Sequence, residues 1–203
     1  MRRPIFVLTV ICCILTTAGC SNQKDNTATI SSIEDSDYMS TFDDLGLGLL
    51  LDFDFTLPQA DKRWVRIWVE GYKDGEKMPD PLNQLYYGES PNETEQGHMG
   101  FGLINPQSEE SMSFLYAQGA HQQPRDMDGF LKMDAASSWG YAISEDQLDI
   151  EIGQTYILGF YFQSNSESIR TYDLQDSKSV QEMIDDSSRL LLLKLQVENK
   201  QTG

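Results

Sequence analysis

The segment 47–57, "LGLLLDFDFTL", puts Leu47, Leu49, Leu51, Phe53, Phe55 and Leu57 at every odd position, with Gly48, Asp52, Asp54 and Thr56 among the residues between them. A period of two gathers the apolar set on one face of an extended strand, because successive side chains point to opposite sides of the backbone. A helix would scatter the same residues around its circumference. The alternation returns in "RWVRIWVEGY": Val65, Ile67 and Val69 share one face, and Trp64, Arg66, Trp68, Glu70 and Tyr72 share the other. Met99, Phe101 and Leu103 alternate with Gly100 and Gly102, where a bulge or close packing explains the glycines. Met112, Phe114 and Tyr116 form another candidate face, and Tyr156, Leu158, Phe160 and Phe162 one face of "TYILGFYFQ". Leu191, Leu193, Leu195 and Val197 form a face of the last strand. Shorter candidates are 85–88, 130–133 and 139–143. About seven to nine short strands separated by Gly, Pro, Asn and Ser clusters specify an all-β, antiparallel β-sandwich.

Two details refine this reading. Ser179 and Glu182 have the spacing of a capping box, and Val180, Met183 and Ile184 share one helical face, which predicts one short helix before the last strand. Gly153 stands three residues before Tyr156 at the start of an apolar strand. That arrangement resembles the tyrosine corner of immunoglobulin-like and fibronectin-type sandwiches, and the resemblance implies an immunoglobulin-like sandwich whose Tyr156 phenol bonds upstream backbone.

The N-terminus follows a different rule. Arg2 and Arg3 precede an almost wholly apolar run from Pro4 to Leu15, and the small residues Thr16, Thr17, Ala18 and Gly19 lead to Cys20. The run has the length of a signal-peptide core and is too short to cross ~30 Å of hydrocarbon. Thr17-Ala18-Gly19-Cys20 resembles the lipobox of bacterial lipoproteins, with Thr17 where that class usually has Leu. The resemblance implies cleavage between Gly19 and Cys20, a diacylated Cys20 sulfur and residence on the extracytoplasmic face of a cell membrane. Two acyl chains hold a protein where one is marginal. Cys12 and Cys13 would leave with the signal peptide, so the mature domain would fold without a disulfide. Residues 1–19 are thus expected to be signal peptide. Residues 20–43, polar and poor in bulky apolar groups, read as a flexible tether, and 44–199 as the sandwich domain.

Charge and motifs narrow the function. The chain has 15 Lys and Arg against 32 Asp and Glu, a net charge of −17, which argues against nucleic acid as a partner because phosphate binding needs Lys and Arg. The two histidines, His98 and His121, have no His, Cys or carboxylate at metal-ligand spacing and read as surface or loop residues. There is no G-x-S-x-G elbow and no phosphate-cradling loop. Asp126, Asp128 and Asp134 around Gly129 form a weak calcium-loop candidate for which a plain turn is the simpler account, so no metal or other cofactor is expected. The most suggestive constellation is Trp64, Trp68 and Tyr72 with Arg66 among them, an aromatic row able to stack on sugar rings or anchor a partner. The same row would equally suit a strand covered on both faces.

The expectation is therefore a membrane-anchored, acidic, non-catalytic binding module at the cell envelope, its partners the membrane through the lipid and an envelope protein or glycan. The alternatives are a small carboxylate-dependent hydrolase of surface glycans and a mainly structural envelope component.

Overall fold

A computed structural model describes residues 26–164 and 170–200. The expected signal peptide 1–19, the expected Gly19/Cys20 cleavage and the expected lipidation at Cys20 fall outside the described residues. The elements run β1 (Ala28–Ser32), α1 (Asp37–Asp44), β2 (Gly48–Pro58), β3 (Arg63–Lys73), β4 (Glu76–Lys77), β5 (Asn83–Gly88), β6 (Thr94–Ile104) and β7 (Met112–Ala117). There follow β8 (Ala120–His121), β9 (Arg125–Asp126), β10 (Ser137–Tyr141), β11 (Leu148–Ile150), β12 (Thr155–Ser164), α2 (Ser177–Asp186) and β13 (Ser187–Asn199). Every pairing is antiparallel. One sheet has the order β11-β1-β2-β6-β7-β8, with β9 also on β7. The other has the order β10-β12-β13-β3-β4, with β5 also on β3.

The odd positions of β2 behave as their alternation requires. Leu49, Leu51, Phe53, Phe55 and Leu57 are buried in a core shared with Met99, Phe101 and Leu103 of β6. From the other sheet come Val65, Ile67 and Val69 of β3 and Leu191, Leu193, Leu195 and Val197 of β13. The chain is an all-β sandwich of two antiparallel sheets, and α2 leads directly into the last strand. Asp74 and Gly75 take positive φ, 52° and 84°, the backbone a tight hairpin needs between β3 and β4. The Tyr156 phenol accepts a hydrogen bond from the Glu151 amide at 3.0 Å, the upstream backbone contact that the tyrosine-corner resemblance implied.

Four expectations are corrected. First, residues 28–43 of the expected tether are not tether: they form β1 and nearly all of α1. Ala28 and Ile30 are 0% and 1% exposed, and β1 joins β11 to β2 through Thr29↔Thr56 and Ser32↔Phe53. This strand buries two small or branched side chains and then a serine, too little apolar mass to stand out in a polar segment. Second, the odd/even reading of β12 fails halfway. A bulge at Leu158 shifts the register against β13, so Tyr156 and Leu158 face the core, whereas Phe160 and Phe162 turn to the outer face beneath α2. Third, β7 buries Ser113 and Leu115, and its aromatics Phe114 and Tyr116 face outward. Fourth, α2 is capped by Asp176, whose side chain accepts from the Ser179 amide at 3.0 Å. Ser179 lies inside the helix, and its hydroxyl accepts from the Asp173 amide instead.

The correction to β1 is measurable. Ile30→Ala should cost about 2–4 kcal/mol in urea unfolding, the range for truncating a buried aliphatic side chain. A change within about 0.5 kcal/mol, as an exposed tether position would give, would contradict it.

Candidate functional site

The aromatic row singled out in the sequence lies on β3, on the sheet face turned away from the core, and it does not form an exposed platform. Trp68 and Tyr72 are 5% and 7% exposed. The Arg66 guanidinium lies 4.4 Å over the Trp68 ring, held there by Gln84 Oε1 at 2.7 and 3.1 Å. Tyr72 packs with Phe162, Leu190, Leu192, Met183 and Ile184 under α2. Only Trp64, stacked at 4.8 Å on the exposed ring of Tyr86, keeps open surface.

Glu70 organises this face. It accepts from Trp68 Nε1 at 3.2 Å, from the Tyr72 hydroxyl at 2.9 Å and from Lys194 Nζ at 2.8 Å, and pairs with Lys77 at 2.9 Å. Burial pushes the Glu70 carboxyl up. The hydrogen bonds from Lys194, Lys77 and Trp68, with the Lys194 charge, outweigh it and hold the carboxyl down at about 2. Burial and then the Glu70 charge push the Tyr72 phenol well above its ordinary value, so it remains a donor. A glycan hydrolase needs one carboxylic acid raised toward neutrality. Glu70 is shifted the other way, and its oxygens are already occupied.

Of the remaining sequence candidates, Asp126 Oδ1 accepts from the Asp128 amide at 2.7 Å, and Asp128 and Gly129 both have positive φ. That is an Asx turn, and Asp134 stands exposed outside these contacts. Among the described residues no group of three His, Cys, Asp or Glu is placed to hold a metal ion.

A second constellation lies on the outer face of the other sheet, and it starts from glycine. On β6, Gly100 and Gly102 pair with Tyr116 and Phe114 of β7. Without Cβ atoms they leave a channel in which both rings lie across β6; a Cβ on Gly100 would meet the Leu51 carbonyl and stand 2.5 Å from the Tyr116 hydroxyl, and one on Gly102 would enter the Phe114 ring. Tyr116 thereby reaches past β6 to β2 and donates to Asp52 Oδ1 at 2.8 Å. Asp52 Oδ2 lies 2.8 Å from His98 Nδ1. Asp52 is 0% exposed, and the His98 side chain is 42% exposed. The Asp52 amide donates to the Tyr141 hydroxyl at 3.1 Å, which in turn donates to the Ile33 carbonyl at 3.0 Å. Burial and the Asp52 charge push the Tyr116 phenol upward, keeping it a donor.

Helix α1 stands over this face. Ser36 caps it, accepting from the Met39 amide at 3.1 Å, yet the helix has no buried residue. It is seated by rings: Tyr38 lies 4.7 Å from His98 and 6.2 Å from Tyr116, and Phe42 lies 5.9 Å from Phe114. Between α1 and β7 runs an open groove of about 500 Å³, lined by Tyr38, Thr41, Phe42, Leu45, Leu47, Leu50, Phe114 and Tyr116. Tyr38 and Leu45 are 53% and 66% exposed. The sequence reading missed this site. The carboxylate partner of His98 lies 46 residues away in sequence, and Tyr38 and Phe42 fall in the segment whose composition predicts a tether. The paired glycines opposite two aromatics were the one local signal. Behind α1, Trp139, 46% exposed, lines a smaller cleft with Glu34, Asp35 and Asp43.

Comparisons of the chain with protein-family models, with curated proteins and with solved structures found no match.

Two outcomes test these assignments. Because the Glu70 carboxyl is depressed, its contribution to stability is complete above the ordinary carboxylate value of 4.5 and disappears as pH falls toward 2. Wild type should therefore lose about 2–3 kcal/mol over that window from this group, and Glu70→Gln should lack that loss while being less stable at pH 7. Urea titrations at pH 7, 4 and 2.5 measure both; parallel acid profiles for the two proteins would contradict the assignment. Gly102→Ala should destabilise by about 1–3 kcal/mol through overpacking against the Phe114 ring, and thermal melts with no change would refute the channel.

Proposed function

We propose that the chain is a lipid-anchored, extracytoplasmic binding module whose working surface is the groove between α1 and β7. The observation that carries the reading is an open, aromatic-lined apolar cleft on an otherwise strongly acidic domain. Exposed apolar patches of this kind mark interaction surfaces, because a soluble domain otherwise covers such groups.

Geometry supports the same reading. Arg63 Nη2 donates to the Asn26 carbonyl at 2.7 Å, fastening the start of the described chain beside the Pro58 end of β2. Five residues separate Asn26 from Cys20, so the six steps between them reach at most roughly 20 Å. A diacylated Cys20 would therefore hold that end of the sandwich close to the bilayer. The groove is at the other end of β2, beside Leu50, about 30 Å along the strand. With an anchor at Cys20, the groove would stand at the pole of the sandwich farther from the bilayer. The partner is an envelope component, and the acidic surface disfavours nucleic acid.

The test has two arms. In a bacterial host, an alkyne fatty acid should label the chain, and Cys20→Ser should lose both the label and partition into the detergent phase. A photo-crosslinking residue at Leu45 should give adducts in intact cells, and one at Tyr86 on the opposite sheet should not. An unlabelled chain contradicts the anchor, and equal yields at the two positions contradict the groove.

A further inference from the structure

We propose that the groove's partner is a cationic amphipathic segment of another envelope protein, with apolar side chains on one face and Lys or Arg beside them; the inference rests on the groove reading above. The groove itself supplies the apolar half of the argument. Phe42, Leu45, Leu47, Leu50 and Phe114 offer contacts without hydrogen-bonding direction, the surface onto which an amphipathic helix lays its apolar face. The α1 wall is 8 residues long, roughly 12 Å, which matches about two turns of a partner helix.

Charge selects among apolar partners. No Lys or Arg occurs between Lys24 and Lys62; in this span Asp37 and Asp44 are exposed on α1, the groove's outer wall, and Glu34, Asp35 and Asp43 line the cleft behind it, in a chain of net charge −17. Asp37 adjoins Tyr38 at one end of the groove, and Asp44 adjoins Leu45 at the other. The last turn of α1 carries Asp43 and Asp44 and no basic residue. Carboxylates there face the negative end of the helix dipole, an arrangement that a cation arriving from outside relieves. On the opposite wall, His121 of β8 stands in register with Tyr116 of β7. The asymmetry gives an orientation: the partner's Lys and Arg lie along α1. A free fatty acid or anionic lipid would bring its own negative charge against Asp37 and Asp44, so an acyl ligand is disfavoured even though it would suit the apolar floor.

The experiment uses the full lipidated chain in phosphatidylcholine nanodiscs and a fluorescent 14-residue Leu/Lys amphipathic peptide, followed by anisotropy. A Leu/Glu peptide of the same pattern serves as comparison. The Leu/Lys peptide should bind and the Leu/Glu peptide should bind at least about tenfold more weakly. Leu45→Asn, at an exposed position that does not threaten folding, should weaken the Leu/Lys peptide about five- to tenfold. Asp37→Asn with Asp44→Asn should weaken it several-fold and flatten its salt dependence. Asp185→Asn on α2, at the other face of the sandwich, should change nothing. Equal binding of the two peptides, or an Asp185→Asn effect as large as that of Asp37→Asn with Asp44→Asn, overturns the partner class and leaves the groove reading standing. Displacement of the peptide by laurate at stoichiometric concentration also overturns it, in favour of an acyl ligand. No binding of any probe, together with no Leu45 adducts in cells, overturns the groove reading itself.

Discussion

A carboxylate with no solvent exposure has to be satisfied from within the protein, and Asp52 is satisfied from three directions at once. Its oxygens meet Tyr116 and His98, and its backbone amide meets Tyr141, whose hydroxyl also holds the Ile33 carbonyl. The Ile33 amide returns to the Asp52 carbonyl at 3.0 Å. One residue on β2 therefore ties together β6, β7, β10 and the connection between β1 and α1. The arrangement is possible only because Gly100 and Gly102 remove side chains from the strand between. Tyr38 then has two anchored rings to lie against, and α1, which buries nothing of its own, acquires a fixed position. The groove is the space left between that helix and β7.

What the sequence disclosed follows from how local each signal is. Alternation in β2, β3 and β13 is a property of neighbours two apart, and the sandwich core is legible from it. The β12 face was misassigned from Phe160 onward because a single extra residue at Leu158 reverses parity, and nothing in "YILGF" marks a bulge except the Gly159 that follows. The polar stretch before β2 read as tether since composition measures how much apolar surface a segment owns. It does not measure what the rest of the fold lends it: Ile30 is buried in the sandwich between β2 and β11, and α1 is seated on rings of β6 and β7. The site was the least legible part. His98 and Tyr116 lie 46 and 64 residues along the chain from the Asp52 carboxylate they share, and nothing in the local sequence of any of the three marks the meeting.

The two outer faces show how similar residues take different roles. On β3, Trp68 and Tyr72 are drawn down onto Glu70, whose four partners convert an aromatic row into a closed polar network. On the other sheet, the aromatics are drawn toward Asp52 by only one phenol, and the rest of their apolar surface stays open beneath α1. The difference is the cover: α2 with Met183 and Ile184 seals its face, whereas α1 with Tyr38 and Leu45 leaves its own ajar.

The central claim is that the buried Asp52 carboxylate positions α1 and with it the groove. Amide hydrogen exchange in Asp52→Ala measures this most directly. Protection of the α1 amides from Ser40 to Leu45 should fall by about tenfold or more while those of β3 and β13 keep theirs. Unchanged protection in α1, or a uniform loss across both sheets, would contradict it.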